Sequence, residues 1–178
     1  QIAATAADNE NQRTIDAIGM DSDSSMIQRA QQQFPHLSFF QGDDVRNFAL
    51  EKPVDAIFSN AALHWVPPND VELSVMAMSK ALKEGGRFVV EFGGKGNVQT
   101  IVKALEETIP TKHCPWYFPS IGEYTSILEE HGIEVSSAAL FDRPTPLKEN
   151  DDGIKNWLRM FGSSFFEGKE QEEIEQAL

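Results

Sequence analysis

The sequence predicts an α/β domain in which a mostly parallel sheet is covered by helices on both faces. Three observations predict it. Short apolar runs alternate with segments of helical period along most of the chain. The runs are apolar throughout instead of alternating with polar residues, as strands buried on both faces are. A chain of 178 residues with 40% hydrophobic content has the size of one globular domain able to bury a sizeable core.

The opening, QIAATAADNE, reads as the end of a helix running into a polar loop. Residues 14–20 (TIDAIGM) form a first strand, short, rich in Ile and closed by Asp21. The SDSSMIQRAQQQF that follows offers Ser and Asp as caps for a helix that Pro35 ends. Residues 37–41 (LSFFQ) are a second strand, and the GDD of residues 42–44 is turn chemistry. Residues 54–59 (VDAIFS) are a third, running into NAALHWVPP. Asn69 or Asp70 caps a helix whose Val71, Val75, Met78 and Leu82 recur on one face, with Gly85 placed to terminate it. Residues 86–92 (GRFVVEF) are a fourth strand, and GGKGN then leads into a helix striped by Val98, Ile101, Val102 and Leu105. After Pro110 comes TKHCPWYFPS, a connection rich in proline and aromatic residues; Ser120 and Glu123 then form an S-x-x-E capping box for a helix that stops near Gly132. Residues 133–141 (IEVSSAALF) are a fifth strand, and Ile154, Trp157, Leu158 and Phe161 line a last amphipathic helix.

The formal charge of −13, from 15 basic and 28 acidic residues, argues against nucleic acid, whose binding needs clustered Lys and Arg to release counterions. The acidic run EGKEQEEIEQ reads as a solvated helix face. The single cysteine, Cys114, forms no intramolecular disulfide, and no Cys and His spacing suggests a metal site. A reducing, cytoplasmic setting is expected. No run reaches the ~18 apolar residues of a membrane span, so no membrane partner is expected either.

In open parallel sheets ligands bind beyond the carboxyl ends of the strands. Asp21 stands at such an end, where a carboxylate accepts hydrogen bonds from both hydroxyls of a ribose; Asp43 follows the second strand, Asn60 the third, and residues 91–94 close the fourth. Each also has a plain structural reading as a helix cap or a turn residue.

The segments MDSDSSMI, FFQGDD, FSNAALHW and LKEGGRFVVEF occur in an order that resembles the class I S-adenosylmethionine-dependent methyltransferases, with the trans-aconitate methyltransferase-like group the closest match, over residues 15–143. The resemblance implies a Rossmann-like fold of strand order 3-2-1-4-5-7-6. It implies that Asp21, with Ser22 beside it, binds the ribose hydroxyls and that Met26 packs near the adenine. Asp43 would receive the adenine amino group, with Asp44 adding backbone contacts, and Asn60 and Ala61 would border the methionine moiety. His64 and Trp65 would lie near the transferred methyl. The family's first strand and its G-x-G-x-G turn belong ahead of QIAA, and the last strand beyond Leu178. The resemblance therefore implies a partial domain truncated at both ends, with residues 1–110 as cofactor-binding core and 111–178 as substrate-side and C-terminal part. Buried strand edges without a central strand would each leave polar groups costing about 1–3 kcal/mol, so the chain alone is expected to be inactive and poorly folded.

S-adenosyl-L-methionine is thus the expected cofactor, and a small molecule the expected acceptor. A carboxylate acceptor is already a nucleophile and needs no base; a hydroxyl or amine would need one, and His64 is either that base or a packed wall residue. Trp116 and Tyr117, with Phe118, either roof a substrate pocket or close the core. Arg143 either pairs with a carboxylate substrate or belongs to the turn DRPTP. Two other readings remain open: a non-catalytic methyltransferase-like binding subunit, and an NAD(P)-dependent oxidoreductase, since an acid at a strand end also fits a dinucleotide site.

Overall fold

A computed structural model describes residues 2–6, 16–42, 45–46, 48–109, 114–147 and 152–166. Its strands are β1 (Ile2–Ala6), β2 (Asp16–Asp21), β3 (Ser38–Gln41), β4 (Val54–Asn60) and β5 (Leu82–Glu91). Its helices are α1 (Ser24–Gln33), α2 (Val71–Ala81), α3 (Gln99–Thr108), α4 (Ile121–Glu130) and α5 (Asp152–Phe161). The chain divides into two compact units, residues 1–95 with 117–138 and residues 96–116 with 139–178.

The first unit holds the sheet, in the order β3-β2-β1-β4-β5. β2 pairs parallel with β3, and β4 parallel with β5. β1 lies between them and runs antiparallel to both, Ile2 opposite Met20 on one side and Ser59 on the other. This corrects two expectations: residues 2–6 form a strand and not a helix tail, and the central position is occupied. The physical reason is that a strand can hydrogen-bond its neighbours in either direction, and IAATA contains neither Gly nor Pro to oppose an extended backbone. β2 and β4 therefore have partners on both edges, and the expected penalty for an empty central slot does not arise. Among the described residues four of the five strands run the same way, so the sheet is mostly parallel with one antiparallel strand at its centre.

α1 starts where Asp23 caps it, accepting the Ser25 N–H at 2.7 Å, and buries Ile27 and Ala30. The main core of the sheet is built by Met20, Val54 and Ile57, which pack with Val71, Val75 and Met78 of α2 and with Tyr124 and Leu128 of α4. Ser120 and Glu123 form the expected capping box of α4, at 3.3 and 2.7 Å. Opposite the core, Phe58 and Val89 are paired across β4 and β5 and are both 48% exposed.

Two further expectations are corrected. Leu82 continues the helical spacing of α2, yet it pairs with Val54 and opens β5; Gly85, at φ +71°, serves a bulge in β5 where the register jumps from Val54–Leu82 to Ala56–Arg87. Lys83 on that bulge reaches both oxygens of Asp55, at 2.8 and 2.9 Å. Residues 133–141 form no strand: Ile133 and Val135 pack on the core, but the backbone finds no ladder and residues 136–141 are exposed. An apolar run becomes a strand only where a neighbour supplies hydrogen bonds.

The second unit contains α3 and α5. Trp116 is buried there, its ring centroid 5.7 Å from Trp157 and 5.9 Å from Phe165, with Leu105, Ile109 and Leu158 also buried.

Candidate functional site

Because β1 is antiparallel to both β2 and β4, those two strands run parallel to each other, and β3 and β5 with them. The carboxyl ends of β2 to β5 therefore lie along one edge of the sheet. That edge gathers Asp21, Asn60 and residues 91–94, as the sequence predicts.

At the end of β2, Asp21 Oδ1 accepts the Asp23 N–H at 3.0 Å, and the Gly42 N–H donates to the Asp21 carbonyl at 3.0 Å. Hydrogen bonds from the side chain and backbone of Ser25 hold the Asp23 carboxyl below the usual range. Ser22 offers its carbonyl to the Gln41 side chain, Nε2 at 3.0 Å. Gln41 is a residue that the sequence did not single out; its register position directly opposite Asp21 was the signal. A side chain on Gly42 would collide with Met20, so glycine lets the chain leave β3 close to β2. Met26 is 38% exposed on the first turn of α1. Asp43 and Asp44 lie outside the described residues.

At the end of β4, Asn60 is exposed and Ala61 takes the left-handed conformation, φ +54°, while its N–H donates to the Glu91 carbonyl at 2.8 Å. A non-glycine residue held there stores strain of order 1–2 kcal/mol. The bend turns the chain into a short 3-10 helix, Leu63–Trp65, anchored by buried Leu63. Within it, His64 Nδ1 accepts the Gly93 N–H at 3.4 Å, and the His64 carbonyl accepts the Tyr117 N–H at 2.8 Å. The imidazole lies 5.7 Å from the Trp65 ring and 5.8 Å from Phe118. Burial pushes its pKa below the ordinary value of 6.5, and burial likewise raises the Tyr117 phenol. Trp65 is 42% exposed.

The edge thus brings together Asp21, Ser22, Asn60, Ala61, His64, Trp65 and Tyr117. Trp116 and Arg143 belong to the second unit, Trp116 inside its aromatic core and Arg143 exposed. No group of three or more metal-ligating side chains occurs among the described residues, and no described helix is long and apolar enough to cross a membrane.

Residues 2–86 match the family model described as "Methyltransferase domain". An uncharacterized methyltransferase of Schizosaccharomyces pombe is 32% identical over 163 residues, which is 84% of this chain and 61% of the relative. The trans-aconitate 2-methyltransferase of an Enterobacter species is 31% identical over 66% of this chain and 46% of its own length. The chain therefore spans about half to three fifths of these relatives. Among solved structures, the YcgJ protein of Bacillus subtilis superposes with TM-score 0.60 at 18% identity, over 90% of this chain and 64% of that one. A putative methyltransferase from Haloferax volcanii, solved with the Trm112 methyltransferase activator, gives 0.54 at 23% identity, over 82% and 67%. The structural likenesses show the α/β fold, and the sequence matches make residues 2–86 similar to a methyltransferase domain.

Proposed function

We propose that the protein transfers a methyl group from S-adenosyl-L-methionine to a small-molecule acceptor, and that this chain supplies its cofactor edge. The observation that carries the reading is the gathering of Asp21, Asn60 and strained Ala61 at the carboxyl ends of β2 and β4. The residues fit the cofactor's chemistry. A carboxylate at the end of β2 can accept both ribose hydroxyls, Ser22 and half-exposed Met26 border the same end, and Asn60 and Ala61 present amide groups for the amino-acid moiety. When bound, the sulfonium supplies the electrophilic carbon. The protein's share is then to align the acceptor and exclude water, for which Trp65 and Tyr117 offer large apolar surfaces. A carboxylate acceptor fits this edge best, since it needs no base. The family match favours the sulfonium donor over a nicotinamide cofactor.

One observation favours a second reading, a methyltransferase-like subunit that binds without catalysis. The end of β1 that arrives between Asp21 and Asn60 is the Ile2 end of an antiparallel strand, whereas a close-approach turn would follow a parallel one. Isothermal titration with S-adenosylmethionine and S-adenosylhomocysteine separates the two. Binding of both that is abolished in Asp21→Ala supports the enzyme; absence of binding by a folded chain favours the subunit.

A further inference from the structure

His64 joins three segments of the ligand edge. Its ring nitrogen Nδ1 receives the Gly93 N–H from beyond β5, its carbonyl receives the Tyr117 N–H, and its ring sits beside Phe118 and Trp65. In a neutral imidazole one nitrogen accepts and the other carries the proton. With Nδ1 accepting, the proton is on Nε2, and the ring has no second lone pair to offer a substrate. To act as a base, His64 would have to release Gly93. A doubly protonated ring would turn an N–H toward the N–H of Gly93, donor against donor.

We propose that His64 is a positioning residue and not a general base: locked as the Nε2–H tautomer, it fastens the strained bend at Ala61 to the Gly93 backbone and to the 117–118 segment. This rests on the cofactor edge proposed above. The imidazole bond joins the loops after β4 and β5 without passing through the sheet, and the His64 carbonyl adds the segment that leads into α4. Ala61 N–H to Glu91 carbonyl is the companion bond two residues before Gly93. The two loops are therefore linked twice, once by backbone and once by the imidazole.

Long-range ¹H–¹⁵N NMR of the His64 ring on the unmodified chain reads the tautomer directly and needs neither cofactor nor acceptor. A pyridine-like Nδ1 and a pyrrole-like Nε2 at pH 7.5 are expected; the reverse pattern would return the ring to the role of base and overturn the proposal. Hydrogen exchange at the Gly93 amide gives the second readout. His64→Ala should accelerate it about tenfold, the worth of a lost hydrogen bond. His64→Asn, whose Oδ1 can replace the Nδ1 acceptor, should restore it to within about threefold, with S-adenosylmethionine affinity following the same order. Unchanged Gly93 exchange in a folded His64→Ala chain, or no rescue by Asn, defeats the assignment. A chain that shows the tautomer and the Gly93 effect but binds no S-adenosylmethionine retains the tie and refutes the cofactor reading alone.

Discussion

Replacing Tyr124 by Phe should stabilise the protein. Tyr124 is 6% exposed in the main core, its ring edge-on to Phe92 at 4.7 Å, and its hydroxyl is buried without a hydrogen-bond partner among the described residues. A buried hydroxyl left unpaired costs about 1–3 kcal/mol, while the void left by one oxygen forfeits only a few contacts of ~0.1–0.2 kcal/mol each. The net expectation is a gain of about 1–2 kcal/mol by the same reckoning. For an urea slope of about 2 kcal/mol/M, the unfolding midpoint rises by roughly 0.5–1 M. The alkaline limb supplies an independent check. Burial, reinforced by Tyr117, raises the Tyr124 pKa well above its ordinary value of 10.0. The unfolded chain therefore loses that proton first. Stability is complete below pH 10 and falls as pH rises beyond it, by up to about 1.4 kcal/mol per unit, and the Phe variant should lack this contribution. Urea titrations at pH 7.5 and pH 11 measure both. A Phe variant less stable than the parent at pH 7.5 would show that the hydroxyl is satisfied, by water or by the chain, and would refute the reasoning.

Ser120→Ala should remove the Glu123 N–H to Ser120 Oγ bond of the α4 capping box, while the Ser120 N–H to Glu123 bond remains, and cost about 1 kcal/mol in urea unfolding. In the same variant the Glu123 carboxyl, held low first by the Ser120 backbone N–H and then by the Ser120 side chain, should stay below its ordinary value in carbon-detected NMR, because the backbone donor is still there. Ala61→Gly relieves the left-handed strain and should leave stability equal or up to ~1 kcal/mol higher, whereas Ala61→Val should lose more than ~1 kcal/mol, because a branched Cβ crowds that conformation; thermal melts of both variants decide it. Since burial depresses the His64 pKa, the unfolded chain takes up that proton first. The contribution is complete above pH 6.5 and declines as pH falls below it, so the melting temperature should drop less between pH 7.5 and pH 5 in His64→Asn than in the parent.

What the sequence made legible was whatever local chemistry decides. Asp and Ser before an apolar run, and Pro35 after it, bound α1 correctly because caps and proline act within one turn. The S-x-x-E box of α4 is equally local. The strand ends at Asp21 and Asn60 followed from short apolar runs meeting polar residues. The failures are nonlocal. Leu82 satisfies helical spacing as well as Val71, Val75 and Met78 do, and only its pairing with Val54 assigns it to β5. Residues 133–141 have the composition of a strand but no ladder, and IAATA becomes one because two strand edges stand on either side of it. For the site, a rule about strand ends reached Asp21 and Asn60, while Gln41 required the register, which no single strand contains.

The direction of β1 separates two parts of the functional question. β2 and β4 are parallel to each other whichever way the strand between them runs, so Asp21 and Asn60 would share an edge in either case, about 10 Å apart across two strand spacings. The shared edge of Asp21 and Asn60 thus depends only on the flanking strands and on the core that Met20, Ile57 and Met78 build beneath them. Direction decides which backbone groups arrive between the two residues. An antiparallel β1 delivers its starting end, where Ile2 pairs with Met20 and Ser59, and so offers strand backbone in place of the N–H groups of a strand-to-helix turn. Asp21→Ala therefore tests the ribose half of the site independently of β1. Comparing the affinities of adenosine and S-adenosylmethionine tests the other half. If the two ligands bind alike and both are lost with Asp21, the flanking strands carry all the recognition and the centre of the sheet contributes none. A large preference for S-adenosylmethionine would require donors to the amino-acid carboxylate from the Asn60–Ala61 bend or from the start of β1.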